Sequence, residues 1–396
     1  MSSGGSSFFN EERFPNRIKH GVVGGYVPAG LAVLIQRFKC DAVYADLCAG
    51  EAIYGDGQKG SPRIIAEHAA QRVARGERHL IHCFNVEMEP ERYAKLVANL
   101  ADLPQQIITN RLGAWQDHLG ELLASMHDRP AILLLDPFGT RGLEMHTLVK
   151  ILSGVGSDAW EVILRFDIEG LRRGNVAPAR ELERAGKPHS YYDLPNKVFG
   201  TTEWQKLLED YDLPESRYDE FLRLYLEQLL KAGGTPLTSR FVAAVPIPER
   251  VDGPAAYHVV FITRSEKAVA MMSEAVCSAI EKAWREEETR LAALPQQPLG
   301  LEGVYVGVMP YDNYFARVFN ELTDMVRAYV EKRKWPVRFS DLHHDMAQRL
   351  FGRVMEKHVR KAVKALRAAG ALTTDRNAIN DDTVISATGM DVSETG

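Results

Sequence analysis

Apolar positions fall into two rhythms along this chain. Short, nearly continuous apolar runs at 41–50 (DAVYADLCAG), 79–87 (HLIHCFNVE), 105–110 (QQIITN), 131–136 (AILLLD) and 161–167 (EVILRFD) have the length and character of buried strands. Between them apolar residues recur at helical spacing over 28–38, 62–74, 89–100, 115–126 and 142–154, with Tyr93, Leu96, Val97 and Leu100 on one face of the third. Ser61 is placed to cap the second helix, with Pro62 as its first residue. Strands alternating with helices at this pace predict a parallel sheet with helices on both faces, an α/β Rossmann-like architecture.

The stretch 170–235 is polar and helical in pattern. Two β-type runs then follow at 239–249 and 255–265, joined by the turn RVDGP, and predict a hairpin that extends the same sheet at its edge. One large α/β domain over 19–290 accounts for these elements. Residues 291–304, with two prolines and two glycines, read as a linker. Helical patterns at 314–333, 338–350 and 355–370 and a hairpin at 371–386 then predict a winged helix-turn-helix over 305–388. Residues 1–18 and 389–396 are expected to be mobile ends.

Composition narrows the class. A chain of 396 residues with 45% hydrophobic and 26% charged residues has the make-up of a globular protein of two or three domains. Its four cysteines form no C-x-x-C pair or zinc-type set, which predicts reduced thiols in a cytoplasmic protein. Neither a secretory leader nor a stretch of the ~18 to 20 apolar residues that span a bilayer is expected. The net charge is -5, yet Arg327 to Leu372 holds twelve Lys or Arg against four Asp or Glu, a local excess that points to nucleic acid.

Ligands of an open parallel sheet bind beyond the carboxyl ends of its strands, where strand order reverses. The candidate site therefore comprises Asp46-Leu47-Cys48-Ala49-Gly50 after the first strand, Glu87 at the tip of the second and Asp136-Pro137-Phe138-Gly139 after the fourth. Ala49 and Gly50 allow close approach of a cofactor, and Glu87 is placed to accept both hydroxyls of a ribose. G-x-G-x-x-G is missing, so an adenosine without a pyrophosphate, as in S-adenosylmethionine (SAM), is the expected cofactor. Asp136 can accept hydrogen bonds from an exocyclic amine, Pro137 stiffens the turn, and Phe138 can stack on a planar base. An amine held this way aims its lone pair at a methyl donor, and methyl transfer gains chiefly from such positioning. The same four residues also fit an ordinary turn with Asp136 capping the next helix.

The blocks DAVYADLCAGEAIYGDGQKGSPRIIAEHA, FNVEMEPERYAKLVANL, AILLLDPFGTRGLEMHTLVKIL, EVILRFDIEGLRR and VFGTTEWQKLL resemble the three-Cys-motif partner proteins (TcmP), bacterial proteins encoded beside a radical-SAM protein with three cysteines. The likeness runs from about Lys19 to Ala275. It implies a methyltransferase-like fold, a cofactor loop at Asp46, Ala49 and Gly50, a ribose contact at Glu87 and the reacting amine at Asp136 to Gly139. The D-P-F-G block also resembles tRNA guanosine dimethyltransferases. Where the family reads D-G-F-A-G-x-G, this chain has Leu47 and Ala52 in place of the outer glycines, which predicts a narrower approach to the ligand.

Asp56 and Ser61 are expected to line the same end of the sheet, Ser61 either binding an anion at the helix N-terminus or capping it. His68, His79 and His82 share no face that would hold a metal, so none is expected. Arg165 either meets a phosphate or pairs with Asp167 or Glu169. In 355–370, Val359, Val363 and Leu366 take core positions and leave Arg360, Lys361, Lys364 and Arg367 outside, for phosphates or as a solvated face. Three readings follow. The first is a SAM-dependent methyltransferase acting on an exocyclic amine of a nucleobase in DNA or RNA. The second is a catalytically silent methyltransferase-like partner of a radical-SAM protein in nucleic-acid repair or defence. The third is a metal-dependent nuclease using Asp46, Glu87 and Asp136.

Overall fold

The computed structural model describes residues 13–137, 139–154, 159–208, 218–231, 241–292, 309–333 and 335–388. They divide into two compact units. The first holds Val23–Ile247 and Ala255–Arg264, and the second holds Phe14–Val22, Pro248–Pro254 and everything from Ser265 onward.

The predicted alternation forms as α1 (Phe14–Phe38), of which Phe14–Val22 belongs to the second unit, and, all within the first unit, β1 (Ala42–Asp46), α2 (Ser61–Ala74), β2 (Ile81–Glu87), α3 (Pro90–Asn99), β3 (Ile108–Leu112), α4 (Leu119–Ser125), β4 (Ala131–Leu135), α5 (Met145–Gly154) and β5 (Trp160–Phe166). The polar insertion forms α6 (Ile168–Leu171), α7 (Ala177–Arg184), α8 (Asp193–Phe199) and α9 (Tyr218–Lys231), and β6 (Phe241–Pro248) and β7 (Ala255–Thr263) follow as a hairpin. The seven strands lie in the order β3-β2-β1-β4-β5-β7-β6. The pairs among β1 to β5 are parallel, whereas β7 runs antiparallel to β5. This is an α/β Rossmann-like sheet finished by a hairpin at one edge.

The central strands β1 and β4 (AVYAD and AILLL) are buried at every residue, the pattern of parallel strands covered on both faces. Edge strand β3 (ITNRL) is only partly buried. One core cluster joins Val43, Leu47, Leu133 and Leu135 of this region to Trp160, Phe166, Phe199, Trp204 and Tyr225.

α1 corrects two expectations. It starts at Phe14, so the helix expected over 28–38 and the mobile end expected over 1–18 overlap in one 25-residue helix; residues 1–12 lie outside the described set. By length and composition it could cross a membrane, but 56% of its most apolar window is buried, because Val23, Tyr26, Val27 and Leu31 are core residues. The mean hydropathy that reads as a membrane span here serves packing.

Glu161, at the start of β5, is 5% exposed and accepts hydrogen bonds from the Tyr26 hydroxyl (2.6 Å) and Thr263 Oγ1 (3.4 Å). Burial pushes its carboxyl up to about 7 from 4.5, with these two bonds opposing the rise. The folded protein therefore holds this proton where the unfolded chain has lost it. Stability contributed by the neutral acid is complete below pH 4.5 and is lost as pH rises to about 7, a change of ~3 kcal/mol. Glu161→Gln is expected to remove that slope, which urea titrations of both proteins between pH 4 and 8 will register as a growing stability gain for the variant.

The second unit contains α10 (Glu266–Ala292), α11 (Tyr311–Glu331), β8 (Val337–Arg338), α12 (Phe339–Arg349), α13 (Glu356–Ala368), β9 (Leu372–Thr374) and β10 (Val384–Ala387). Its strands form an antiparallel sheet in the order β8-β10-β9. Val318, Leu322, Val326, Phe339, Leu342, Val359, Val363, Leu366 and Ile385 make its core. The division falls before α10 rather than near 290. α10 is tied within this unit by the Ser273 hydroxyl, which donates to Val354 O (3.2 Å) and accepts from Gly352 N (3.0 Å), and by Glu274, which accepts from Glu356 N (2.8 Å). Most of the linker expected over 291–304 lies outside the described residues, as does the tail from 389.

Candidate active site at the switch point of the sheet

Strand order reverses between β1 and β4: the chain fills β2 and β3 on one side of β1, then returns to place β4 on the other. Parallel pairing brings the carboxyl ends of β3, β2, β1, β4 and β5 to one edge. Antiparallel β7 brings its start to that edge as well, through the register Phe166 to His258. In sheet order the edge presents Leu112, Glu87 with Met88, Asp46 to Gly50, Asp136 with Pro137, Arg165 and Tyr257.

The loop after β1 is held by side chains as much as by main chain. Asp46 is 0% exposed; its Oδ2 accepts from Ser61 Oγ (2.5 Å) and Tyr44 OH (3.1 Å), and its Oδ1 from Cys48 N (3.3 Å). Ser61 is thus the first residue of α2, with Gly60 at the cap, so its hydroxyl serves Asp46 rather than the helix end. Leu47 N donates to Leu134 O and Ala49 N to Val86 O, both at 2.9 Å, which pins the loop to both neighbouring strands.

Gly50 adopts φ +66 and donates its N–H to Glu87 Oε2 (2.8 Å), while Glu87 Oε1 accepts from Glu89 N (2.8 Å). A Cβ at Gly50 would meet nothing within 4 Å, so open space adjoins the loop. Glu87 is 6% exposed, and a carboxylate has about four acceptor positions, so the two used leave capacity for hydroxyl donors. Next to it Met88 is 63% exposed, and Leu112, paired with Glu87 in the β2–β3 register, is 45% exposed.

Leu47 and Ala52 do not narrow the loop in the expected way. Leu47 is a core residue. Ala52 is buried at φ +63, the left-handed conformation that a glycine adopts without strain, and its carbonyl accepts from Gly60 N (2.8 Å). Ala52→Gly is therefore expected to raise stability by ~0.5–1 kcal/mol after the entropy of the freer unfolded chain is allowed for. The urea midpoint will show it.

Cys48 shows that the three acidic tips converge. Its thiol is held well above the usual range by burial first, then by the charges of Asp136, Asp46 and Glu87, and its sulfur is hydrogen-bonded to the Asp136 main chain. The thiol stays protonated and is no nucleophile. Asp136 Oδ1 lies 3.6 Å from Arg165 Nη1, and Arg165 Nη2 lies 3.8 Å from Asp167 Oδ2. The guanidinium stacks 4.4 Å from the centre of the Tyr257 ring. Burial opposes the Arg165 charge, but Asp136, Tyr257 and Asp167 outweigh it and raise its pKa. Of the partners expected for Arg165, Asp167 is met and Glu169 is not; Glu169 binds Arg172 instead (2.7 Å). Asp136 is thus an arginine-paired carboxylate, and the α5 that follows starts only at Met145.

Pro137 is buried and Gly139 takes φ +78, whereas Phe138 lies outside the described residues. Asp56 is exposed and closes a local turn by accepting from Gln58 N (3.0 Å). Among the described residues no three His, Cys, Asp or Glu are grouped to hold a metal ion, so a three-carboxylate metal site lacks a ligand set among them. A cavity of 490 Å³ lies at the other edge of the sheet, lined by Lys39, Cys40, Asp41, His79 and Arg129, away from this chemistry. Sequence reasoning missed Met88, Leu112 and Tyr257. Only the parallel register and the antiparallel β7 make them neighbours of the motifs.

On α13, Lys361 and Lys364 are exposed, but Arg360 and Arg367 are committed within the unit. Arg360 pairs with Glu356 and lies 5.5 Å from the Phe339 ring centre. Arg367 donates to Thr374 Oγ1 (2.9 Å) and to the carbonyls of Asn377 (3.1 Å) and Arg376 (3.4 Å), which fastens the hairpin turn. The length of an arginine side chain lets it reach back from an outward helical position, which the helical pattern does not register.

No protein-family model matches the chain, and no curated protein matches it. Solved structures do. A protein described as an rRNA-methylase from Clostridium thermocellum is 10% identical over 61% of this chain and 96% of its own, with a TM-score of 0.31. An rRNA methylase from Streptococcus thermophilus is 10% identical over 60% and 93% (TM-score 0.28). M. jannaschii TYW2 in complex with AdoMet is 13% identical over 60% and 77% (TM-score 0.26).

Proposed function

We propose that the chain is a SAM-dependent methyltransferase acting on an exocyclic amine of a nucleobase. The observation that carries this reading is the arrangement of Gly50, Glu87 and Asp136 at one edge of the sheet, on either side of the switch point, with Gly50 N donating to Glu87 Oε2 (2.8 Å). The residues present suit an adenosine. The free acceptor positions of Glu87 match the two ribose hydroxyls, exposed Met88 and Leu112 offer apolar contact to a base, and Gly50 leaves room for close approach. SAM, when bound, supplies an electrophilic methyl group.

On the other side of the switch point Asp136, fixed by Arg165, accepts hydrogen bonds from the substrate amine and orients its lone pair. Tyr257 steadies the guanidinium. From α11 onward the second unit has the order helix, strand, helix, helix, strand, strand, which supports a winged-helix reading; Lys361 and Lys364 are its exposed phosphate contacts on α13. Incubation with methyl-labelled SAM and bulk DNA or RNA tests the proposal. Label in an exocyclic amine, absent with Asp136→Asn, supports it, and no label in any nucleic acid contradicts it.

One observation favours the second reading, a silent partner of a radical-SAM protein: both Glu87 oxygens already bind loop amides. Under that reading the chain co-purifies with the radical-SAM protein and transfers no methyl group.

A further inference from the structure

Of the five tryptophans, Trp115, Trp160, Trp204 and Trp284 are at most 4% exposed, whereas Trp335 is 62% exposed. It sits between α11 and β8, within RAYVEKRKWPVR, where residues 327 to 338 hold five Lys or Arg and one acid. Elsewhere in this unit several arginines are matched to carboxylates, among them Arg349 to Asp345, Arg353 to Glu321 and Arg376 to Asp375. Around Trp335 they are not. Arg327, Lys332 and Arg338 are exposed and pair with no carboxylate among the described residues. Arg333 rests its guanidinium 4.2 Å from the Tyr329 ring centre and likewise has no acidic partner among them.

A large ring held in water among uncompensated cations costs hydrophobic and electrostatic free energy unless a partner uses both. Pro336 restricts the backbone of Trp335 to extended conformations, so the ring is presented with little entropy left to lose. A partner that offers a flat π face beside a line of negative charge is single-stranded nucleic acid, whose unpaired bases stack on aromatic side chains while cations follow the phosphates. Duplex bases are already stacked and give the ring nothing to cover.

We propose that Trp335, with Lys332, Arg333 and Arg338, forms a stacking site for an unpaired base of a single-stranded nucleic acid. It shares with the proposed function the premise that the second unit binds nucleic acid, but uses a segment separate from α13. Because the other four tryptophans are buried, the long-wavelength edge of the intrinsic emission of the full-length protein reports chiefly on Trp335.

The test titrates the full chain with a mixed-sequence single-stranded DNA 12-mer, the same strand annealed to its complement, and poly-glutamate. The single strand is expected to quench the exposed-tryptophan emission more than either other probe. Trp335→Ala is expected to weaken single-strand binding by ~10-fold and leave duplex binding unchanged, with Trp335→Phe restoring most of the loss. Unchanged emission, equal quenching by poly-glutamate, or undiminished single-strand binding by Trp335→Ala would overturn the proposal. If one of these overturning results is seen while the parent still binds duplex and loses it in a Lys361→Ala/Lys364→Ala variant, the stacking site alone fails. If neither form of DNA binds, the nucleic-acid premise fails with it.

Discussion

Asp46→Ala is expected to cost ~3 kcal/mol of folding stability and to abolish cofactor binding, because it removes the shared acceptor of three buried or partly buried donors. Tyr44 OH, Ser61 Oγ and Cys48 N all point at this carboxylate, and Tyr44 and Ser61 are buried. Leaving several such donors unmet would by itself cost more. Removing a buried negative charge gives part of that back, which sets the net figure. Asp46→Asn keeps an acceptor oxygen and should lose less. Urea unfolding of the two variants against the parent checks the order, and equal midpoints for Asp46→Ala and the parent would show that the loop does not depend on this residue.

Asp136→Asn is expected to lower methyl incorporation by ~100-fold or more while changing SAM affinity by less than about twofold, since its effect falls on the orientation of the acceptor amine. The amide is nearly the same shape, so the fold should persist. It carries no charge for Arg165, which retains Asp167 and the Tyr257 ring. A single-turnover measurement at saturating SAM isolates the step. A fall in SAM affinity that matches the fall in rate would move Asp136 from the acceptor side of the cleft to the cofactor side.

Much of the fold was legible because parallel strands announce themselves. AILLLD and DAVYAD are apolar runs too short for helices and bounded by small or acidic residues, and both became central strands. The helix expected over 28–38 from its apolar spacing begins at Phe14, and Pro28 is tolerated within it. Ser61 was read as a cap on pattern alone, and the pattern does not reveal that Asp46, fifteen residues earlier, offers its hydroxyl a buried acceptor. Arg360 and Arg367 were placed outward correctly as helical positions, yet their heads turn back to Glu356 and the hairpin. The site residues that escaped notice, Met88, Leu112 and Tyr257, carry no motif. Strand register alone brings them to the cleft.

The central claim is that the β1–β4 switch point binds an adenosine cofactor through Glu87. Isothermal titration of the full chain with SAM, alongside Glu87→Ala, tests it most directly. The expected result is saturable binding in the micromolar range, weakened ~10-fold or more in the variant as two hydroxyl contacts are lost. No binding at millimolar SAM by the folded parent, or equal affinity in Glu87→Ala, would contradict it.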